Sequence, residues 1–225
     1  MKKESVIKLK KELVDIGKEI SKQRLIVGPG GNISARLNDI IYVKSSGICF
    51  EDAKPEDYIG VNLNTGEIIE KTSNRPTCEL SMHIGCYLAN NDVKAVIHTH
   101  PPLATAYAML GIPLKAFTPD FVAVIGDSVP VIKYVIPGTV ELANEIVKFI
   151  KKGYKCVFMG NHGLITVGTN LKEALYRTIL IEDSCKTVIA SKILGKMKFF
   201  ADKEIEQIDN LEIENYRRQM LKLKK

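Results

Sequence analysis

The chain has only four histidines, and three of them fall where imidazoles can share a cation. His98 and His100 flank Thr99 at the end of a β-prone run. Side chains two apart on a strand point to the same face, so both rings can reach one ion. His162 lies in Met159-Gly160-Asn161-His162-Gly163, at the end of another such run, with glycines that let the backbone turn closely. Three imidazoles around an open position form a usual catalytic zinc site. An HxH pair alone is also what ordinary polar loops carry. His83 is left out of this set: four residues after Glu79, it orients a carboxylate or packs. Glu79 stands in Arg75-Pro76-Thr77-Cys78-Glu79, at the start of an expected helix. The helix dipole favours an acid there on structural grounds alone.

Three further stretches suit an anion such as phosphate. Gly30-Gly31-Asn32-Ile33-Ser34 offers exposed amides and an Asn side chain, and Ser45-Ser46-Gly47 offers hydroxyls beside a flexible glycine. Thr77-Cys78 is expected at a helix N-terminus, where unpaired amides attract negative charge. Each pattern is common in loops when it occurs singly. The first is not a dinucleotide fingerprint, because Ile33 stands where a glycine is needed, and no GxxxxGK[ST] loop exists.

These groups need elements to hold them. Val6, Leu9, Leu13, Ile16 and Ile20 form the apolar stripe of a helix over about 3–24. Residues 1–24 carry eight basic and four acidic residues, and the mixed signs favour core packing over a membrane surface. Short β-prone runs follow at Ile33–Leu37, Ile40–Val43, Tyr58–Leu63 and Glu67–Glu70, the last two flanking a turn at Asn64-Thr65-Gly66. A helix over Thr77–Leu88 would bury Leu80, Ile84, Tyr87 and Leu88. Val93–Ile97 reads as a buried strand, and Pro101-Pro102 opens a helix ending near Gly111. Strands are expected around Val122–Ile125 and Val131–Val135, at Lys155–Met159 and at Leu164–Val167, with a helix over Thr139–Lys151. Asn170 and Glu173 make a capping box for a helix over Leu171–Leu194. Its stripe of Leu171, Leu175, Thr178, Glu182, Cys185 and Ile189 turns Glu182 inward, so that acid needs a partner or a polar cavity, with Lys186 at i+4 the candidate partner. A final helix spans Asp202–Leu223, within a tail of about 202–225.

Composition bounds the function. Two hundred and twenty-five residues, 45% apolar and 26% charged, are ordinary globular usage. Intermixed strands and helices without repeat or linker indicate one α/β domain over 1–225 around a mixed or largely antiparallel sheet. The net charge of +6 suits an anionic ligand, yet the basic residues gather at the termini rather than among aromatics, against a nucleic-acid partner. Five dispersed cysteines with no CxxC pair read as reduced thiols. No apolar run is long enough for a membrane span and no signal peptide is evident, so a cytoplasmic protein is expected.

In this order, GGNIS, SSG, RPTCE, HTHPP and GNHGL resemble the class II aldolase/adducin family, from about Arg24 to Leu194. The resemblance implies a three-layer α/β/α fold around a mostly antiparallel sheet, in a homotetramer with active sites between subunits. It places one Zn2+ on His98, His100 and His162, with Glu79 as the carboxylate that ligates or approaches the metal and moves protons. Iron, cobalt or manganese could substitute. It places the substrate phosphate on Asn32, Ser46, Gly47 and Thr77, with Gly31 and Cys78 contributing backbone. The activity implied is retro-aldol cleavage of a small ketose 1-phosphate, such as L-fuculose 1-phosphate, into dihydroxyacetone phosphate and a short aldehyde through a zinc-stabilised enediolate. Epimerases, dehydratases and decarboxylases of the family share that chemistry, and adducin-type binding members lack the metal ligands present here.

The chain also departs from the family pattern. Thr77 and Cys78 stand where two serines are common. Phe117 stands where the fuculose-phosphate aldolases have a proton-donating Tyr, and Asp120 falls about where the epimerases have a catalytic Asp. Asp120 and Tyr216, the latter acting across a subunit boundary, are therefore the candidates for the second proton transfer.

Overall fold

The computed structural model describes residues 3–223. Helix α1 (Lys3–Lys22) precedes β1 (Asn32–Leu37), β2 (Ile40–Lys44) and β3 (Tyr58–Asn62). Then come α2 (Leu80–Ala89), β4 (Ala95–Thr99), α3 (Pro102–Ala108), β5 (Leu114–Lys115), α4 (Pro119–Val124), β6 (Ser128–Val129) and β7 (Val131–Ile132). The chain continues through α5 (Val140–Lys151), β8 (Cys156–Met159), β9 (Gly163–Gly168), α6 (Leu171–Leu194), α7 (Asp202–Asp209) and α8 (Glu212–Leu223). Lys224 and Lys225, the last residues of the expected tail, lie outside the described residues.

Seven strands form one sheet in the order β3-β2-β1-β4-β9-β8-β7, antiparallel except for the β7–β8 pair. Strand alternation divides the core between its faces. Val96, Val157, Ile165 and Val167 pack beneath α2 and α5 with Met82, Cys86, Leu142 and Ile146. Ile33, Ala35, Ala95 and Ile97 point the other way, against Leu13 and Ile20 of α1 and Ala174 and Leu175 of α6. A third cluster joins α3, α4 and the later part of α6 over Phe158 and Leu164. The three-layer arrangement is the one the motifs imply. Among the described residues no helix is long and apolar enough to cross a membrane, and all five cysteines are unpaired.

Register at the sheet centre sets up the chemistry. β4 lies between β1 and β9, with Asn32 opposite His98 and Leu164 opposite Thr99. Because Val96 faces α2, so do His98, two residues on, and its cross-strand partner Asn32. One strand end thus gathers residues about 30, 98 and 162 in sequence.

Several expected elements differ. Glu67–Glu70 forms no strand, only an isolated bridge between Ile68 and Val61. The Val122–Ile125 run is helical: the Thr118 hydroxyl accepts from the Phe121 amide and Pro119 occupies the first turn, so local capping outweighs β-branched propensity. α2 begins at Leu80 rather than Thr77, and Leu88 is exposed while Met82, His83, Cys86 and Tyr87 are buried. The expected final helix breaks at Asn210-Leu211.

α6 has the expected limits, and the Asn170 carboxamide accepts from the Glu173 amide at 2.9 Å. Glu173 reaches back one residue further than a standard box, to the Thr169 amide at 2.6 Å. Ile189 is 36% exposed and lies at the edge of the buried stripe. The partner of Glu182 is not Lys186. Its carboxylate accepts from the Leu103 and Ala104 amides at 3.1 and 2.8 Å, capping α3 directly after the His98-Thr99-His100 segment.

Candidate metal centre and phosphate cradle

His98 is buried on β4. Its Nδ1–H donates to the Leu164 carbonyl at 3.0 Å, which leaves the Nε2 lone pair free toward the cleft. His100 follows the strand, anchored by its amide to the Leu25 carbonyl at 3.1 Å. His162 sits in the β8–β9 turn, where Asn161 takes a left-handed conformation with φ of 55°. The rings converge: centroid separations are 4.8, 4.8 and 5.2 Å, and the three ligand atoms lie within 4.8 Å of one another. His98 Nε2 and His100 Nε2 are 3.0 Å apart. Two nitrogens on a tetrahedral zinc at roughly 2.0–2.1 Å stand about 3.3 Å apart, so that pair already has nearly the required spacing.

Glu79, 4% exposed, completes the group from the turn that opens α2. Its Oε2 lies 3.3 Å from His98 Nε2 and its Oε1 3.6 Å from His162 Nε2. Oε1 is buried without a hydrogen-bond partner among the described residues, as is His162 Nδ1. A buried carboxylate oxygen without a donor is costly unless a cation or proton meets it. Burial pushes all three imidazoles below their ordinary pKa, and His98 and His100 are lowered further by neighbouring histidines. The rings are therefore neutral near pH 7, the form that ligates metal. The donor set, its spacing and the orphaned oxygen all fit a divalent transition metal.

Two glycines make this approach possible. Gly31 has φ of +63°, and a Cβ there would meet the His98 carbonyl at 2.9 Å. Gly163 leaves room for the Thr99 carbonyl and the His100 ring.

Beside the rings, Ser45 bridges to Pro76 and the Ser46 amide donates to the Arg75 carbonyl at 2.9 Å. That pairing brings Ser46 and Gly47 against Thr77 and Cys78 in a cleft also lined by Gly31, Asn32, Glu79, His100 and His162. Ser46, Gly47 and Cys78 are exposed to solvent, whereas Asn32 and Thr77 are buried. The Asn32 side chain is largely committed: Nδ2 donates to Glu79 Oε2 at 2.8 Å and Oδ1 faces His83 Nε2 at 2.5 Å. Only its second N–H remains for a ligand. Thr77 and Cys78 precede α2 in a turn rather than forming its first residues.

Lys44, which sequence reasoning did not single out, lies beneath this cradle, 1% exposed. Its ammonium donates to the Ser45 and Ile48 carbonyls and stands 5.1 Å from the Phe50 ring centroid. Burial lowers its pKa to about 8. Ser34 and Tyr87 were missed as well, although Glu79, His83 and Tyr87 form a polar stripe at i, i+4 and i+8 that was readable. Asp120 and Tyr216 do not line the cleft of their own chain. Asp120 is paired with Arg217 of α8, and Tyr216 is 57% exposed.

Residues 11–189 match the Class II Aldolase and Adducin N-terminal domain. A 5-deoxy-D-ribulose 1-phosphate aldolase from Bacillus thuringiensis serovar kurstaki is 33% identical over 203 residues, covering 89% of this chain and 93% of that protein. A 3-oxo-tetronate 4-phosphate decarboxylase from Pectobacterium atrosepticum is 31% identical over 193 residues, covering 83% and 85%. The solved structure of an L-fuculose 1-phosphate aldolase superposes with a TM-score of 0.85 at 31% identity, covering 93% of this chain and 96% of that one. With the family domain spanning most of its length and its fold shared with a solved aldolase, the chain belongs to the class II aldolase and adducin family.

Proposed function

We propose that the chain is a metal-dependent aldolase that cleaves a small ketose 1-phosphate, L-fuculose 1-phosphate or a related deoxy-ketose phosphate, into dihydroxyacetone phosphate and a short aldehyde. The observation carrying this reading is the convergence of three neutral imidazoles on one side of Glu79, with a cradle of amides and hydroxyls over buried Lys44 on the other. A divalent metal, zinc by preference, would be held by His98, His100 and His162 and supply Lewis acidity toward the negative charge that develops on the substrate.

The chain's own groups do the rest. Cleavage breaks C3–C4, leaves the electron pair on C3 and removes the proton from the C4 hydroxyl, which becomes the aldehyde oxygen. Glu79, steadied through Oε2 by Asn32, uses Oε1 to deliver a proton to C3 and to remove it in the aldol direction. Ser46, Gly47 and Thr77, together with the amides of Gly31 and Cys78, hold the phosphate away from the breaking bond and align the sugar. The C4 proton needs a second base. Asp120 and Tyr216 lie outside their own cleft, so this role requires a neighbouring copy in the proposed homotetramer.

The reading is tested by incubating zinc-loaded protein with L-fuculose 1-phosphate and 5-deoxyribulose 1-phosphate and measuring products. Dihydroxyacetone phosphate should appear in equal amount with an aldehyde; its absence from both would defeat the proposal. The decarboxylase relative favours a second reading, and carbon dioxide release from 3-oxo-tetronate 4-phosphate would support that one. Epimer or released water as product would mark the other family chemistries.

Lys44 offers a separate check. Lys44→Met is expected to raise KM for the phosphorylated sugar about tenfold, the scale of a charge-assisted interaction of roughly 1.5 kcal/mol, with a smaller change in kcat. Since burial lowers the Lys44 pKa to about 8, its charge is present below that pH and lost above it. In wild type, kcat/KM should therefore fall as pH rises through about 8, and in Lys44→Met that limb should be absent. Equal KM values would remove Lys44 from phosphate binding.

A further inference from the structure

Behind Glu79 runs a continuous line of buried polar side chains. Tyr87 Oη lies 2.7 Å from Ser34 Oγ, and Ser34 Oγ lies 2.7 Å from His83 Nδ1. His83 Nε2 lies 2.5 Å from Asn32 Oδ1, and Asn32 Nδ2 lies 2.8 Å from Glu79 Oε2. Tyr87, Ser34 and His83 are fully buried and Asn32 is 4% exposed, so water does not compete for these bonds. The line crosses between elements: Asn32 and Ser34 come from one face of β1, Glu79 from the turn that opens α2, and His83 and Tyr87 from α2 itself.

The proton on each link follows from the carboxylate at the end. An ionised carboxylate only accepts, so Asn32 must turn its nitrogen toward Glu79 and its oxygen toward His83. That oxygen needs a donor, which makes His83 Nε2 the protonated nitrogen. Nδ1 is then an acceptor and takes the Ser34 hydroxyl proton, and Ser34 Oγ in turn accepts from Tyr87. No carboxylate contacts the ring, and burial pushes its pKa down to about 3, consistent with a neutral imidazole. Reversing one link would set two donors or two acceptors against each other in a dry site, which leaves buried polar atoms unsatisfied.

We propose that His83 is a positioning residue, held as the Nε2–H tautomer by Ser34 and Tyr87, that acts through Asn32 to fix the orientation of Glu79. This rests on the role given to Glu79 above, yet its primary test needs no turnover. The line commits Oε2 to Asn32 and leaves Oε1 without a partner among the described residues, so the oxygen that exchanges the substrate proton is chosen in part by His83, Ser34 and Tyr87, which do not line the cleft. Every bond in it is oriented to the same end, and such chains strengthen cooperatively.

Nitrogen-15 spectra of histidine-labelled zinc-loaded protein report the tautomer, with the His83 signals assigned from their loss in His83→Gln. Protonated Nε2 and bare Nδ1 are expected, and an Nδ1–H tautomer would overturn the proposal whatever the enzyme acts on. In kinetics, His83→Phe is expected to keep one zinc per chain and a near-normal KM while kcat drops about 10–100-fold. His83→Gln, whose amide can still donate to Asn32, should recover most of that loss. A filler of space would gain nothing from Gln over Phe, so equal rates in the two variants would also overturn it. Should His83→Phe fail to fold, Tyr87→Phe removes only the far hydroxyl and should admit a measurable share of the Nδ1–H tautomer. An unchanged spectrum there would contradict the chain.

Discussion

Glu79→Gln is expected to retain one metal ion per chain while lowering kcat by about 10²–10⁴-fold, the range for loss of a positioned general acid–base group. The substitution is nearly isosteric, and the amide oxygen can still accept from Asn32 Nδ2, the bond now measured at 2.8 Å. The three imidazoles are untouched, and their convergence does not depend on the carboxylate: His98 is set by the Leu164 carbonyl and His100 by the Leu25 carbonyl. What changes is the other terminal atom. Oε1 has no hydrogen-bond partner among the described residues and is the atom free to exchange a proton; in the amide it becomes an NH2 group with no basicity. Metal analysis alongside steady-state rates separates the two roles. Metal retained with near-normal turnover would refute the proton role, and metal lost would mean that Glu79 is chiefly a ligand.

The site was legible in sequence to the extent that its chemistry is local. His98 and His100 were readable because period-two alternation places them together, and His162 because glycines surround it at a strand end. Glu79 stood out as an acid beside a turn. The register that joins them was not legible: Asn32 opposite His98 and Leu164 opposite Thr99 are pairings between strands more than sixty residues apart in sequence, and nothing local encodes them. The same gap explains the errors. Glu182 was assigned an i+4 partner because the helix was the only context available, whereas its partners are amides about eighty residues away. Lys44 directly follows the Ile40–Val43 run, and its burial depends on the Ser45–Phe50 loop folding over it. At Val122–Ile125 the reverse held: Thr118 and Pro119 were a local helix-start signal, passed over in favour of β-branched composition.

Metal binding should be abolished by His100→Ala, which removes a ligand, and sharply weakened by Gly163→Ala, which removes none. The first follows from the donor geometry: the His100 nitrogen 3.0 Å from His98 Nε2 is lost, and the carboxylate that remains beside His98 and His162 already has Oε2 bonded to Asn32, so turnover should vanish with the ion. The second follows from packing. A Cβ at Gly163 would stand 2.5 Å from the Thr99 carbonyl oxygen and 2.8 Å from His100 Cδ2. Both neighbours must yield, and neither can do so freely: Thr99 is paired with Leu164 in the sheet, and His100 is tied through its amide to Leu25. The softer outcome is rotation of the His100 ring away from His98, from which its Nε2 is now 3.0 Å. A misplacement near 1 Å is enough to cost about 10²-fold in rate, and a disturbed supporting shell about 10–100-fold in metal affinity. Zinc titration of both variants, with circular dichroism to confirm folding, distinguishes a metal centre from a coincidental cluster of rings. If Gly163→Ala folds and binds zinc as tightly as wild type, the close approach of β9 to His100 is not what holds the ligands in place.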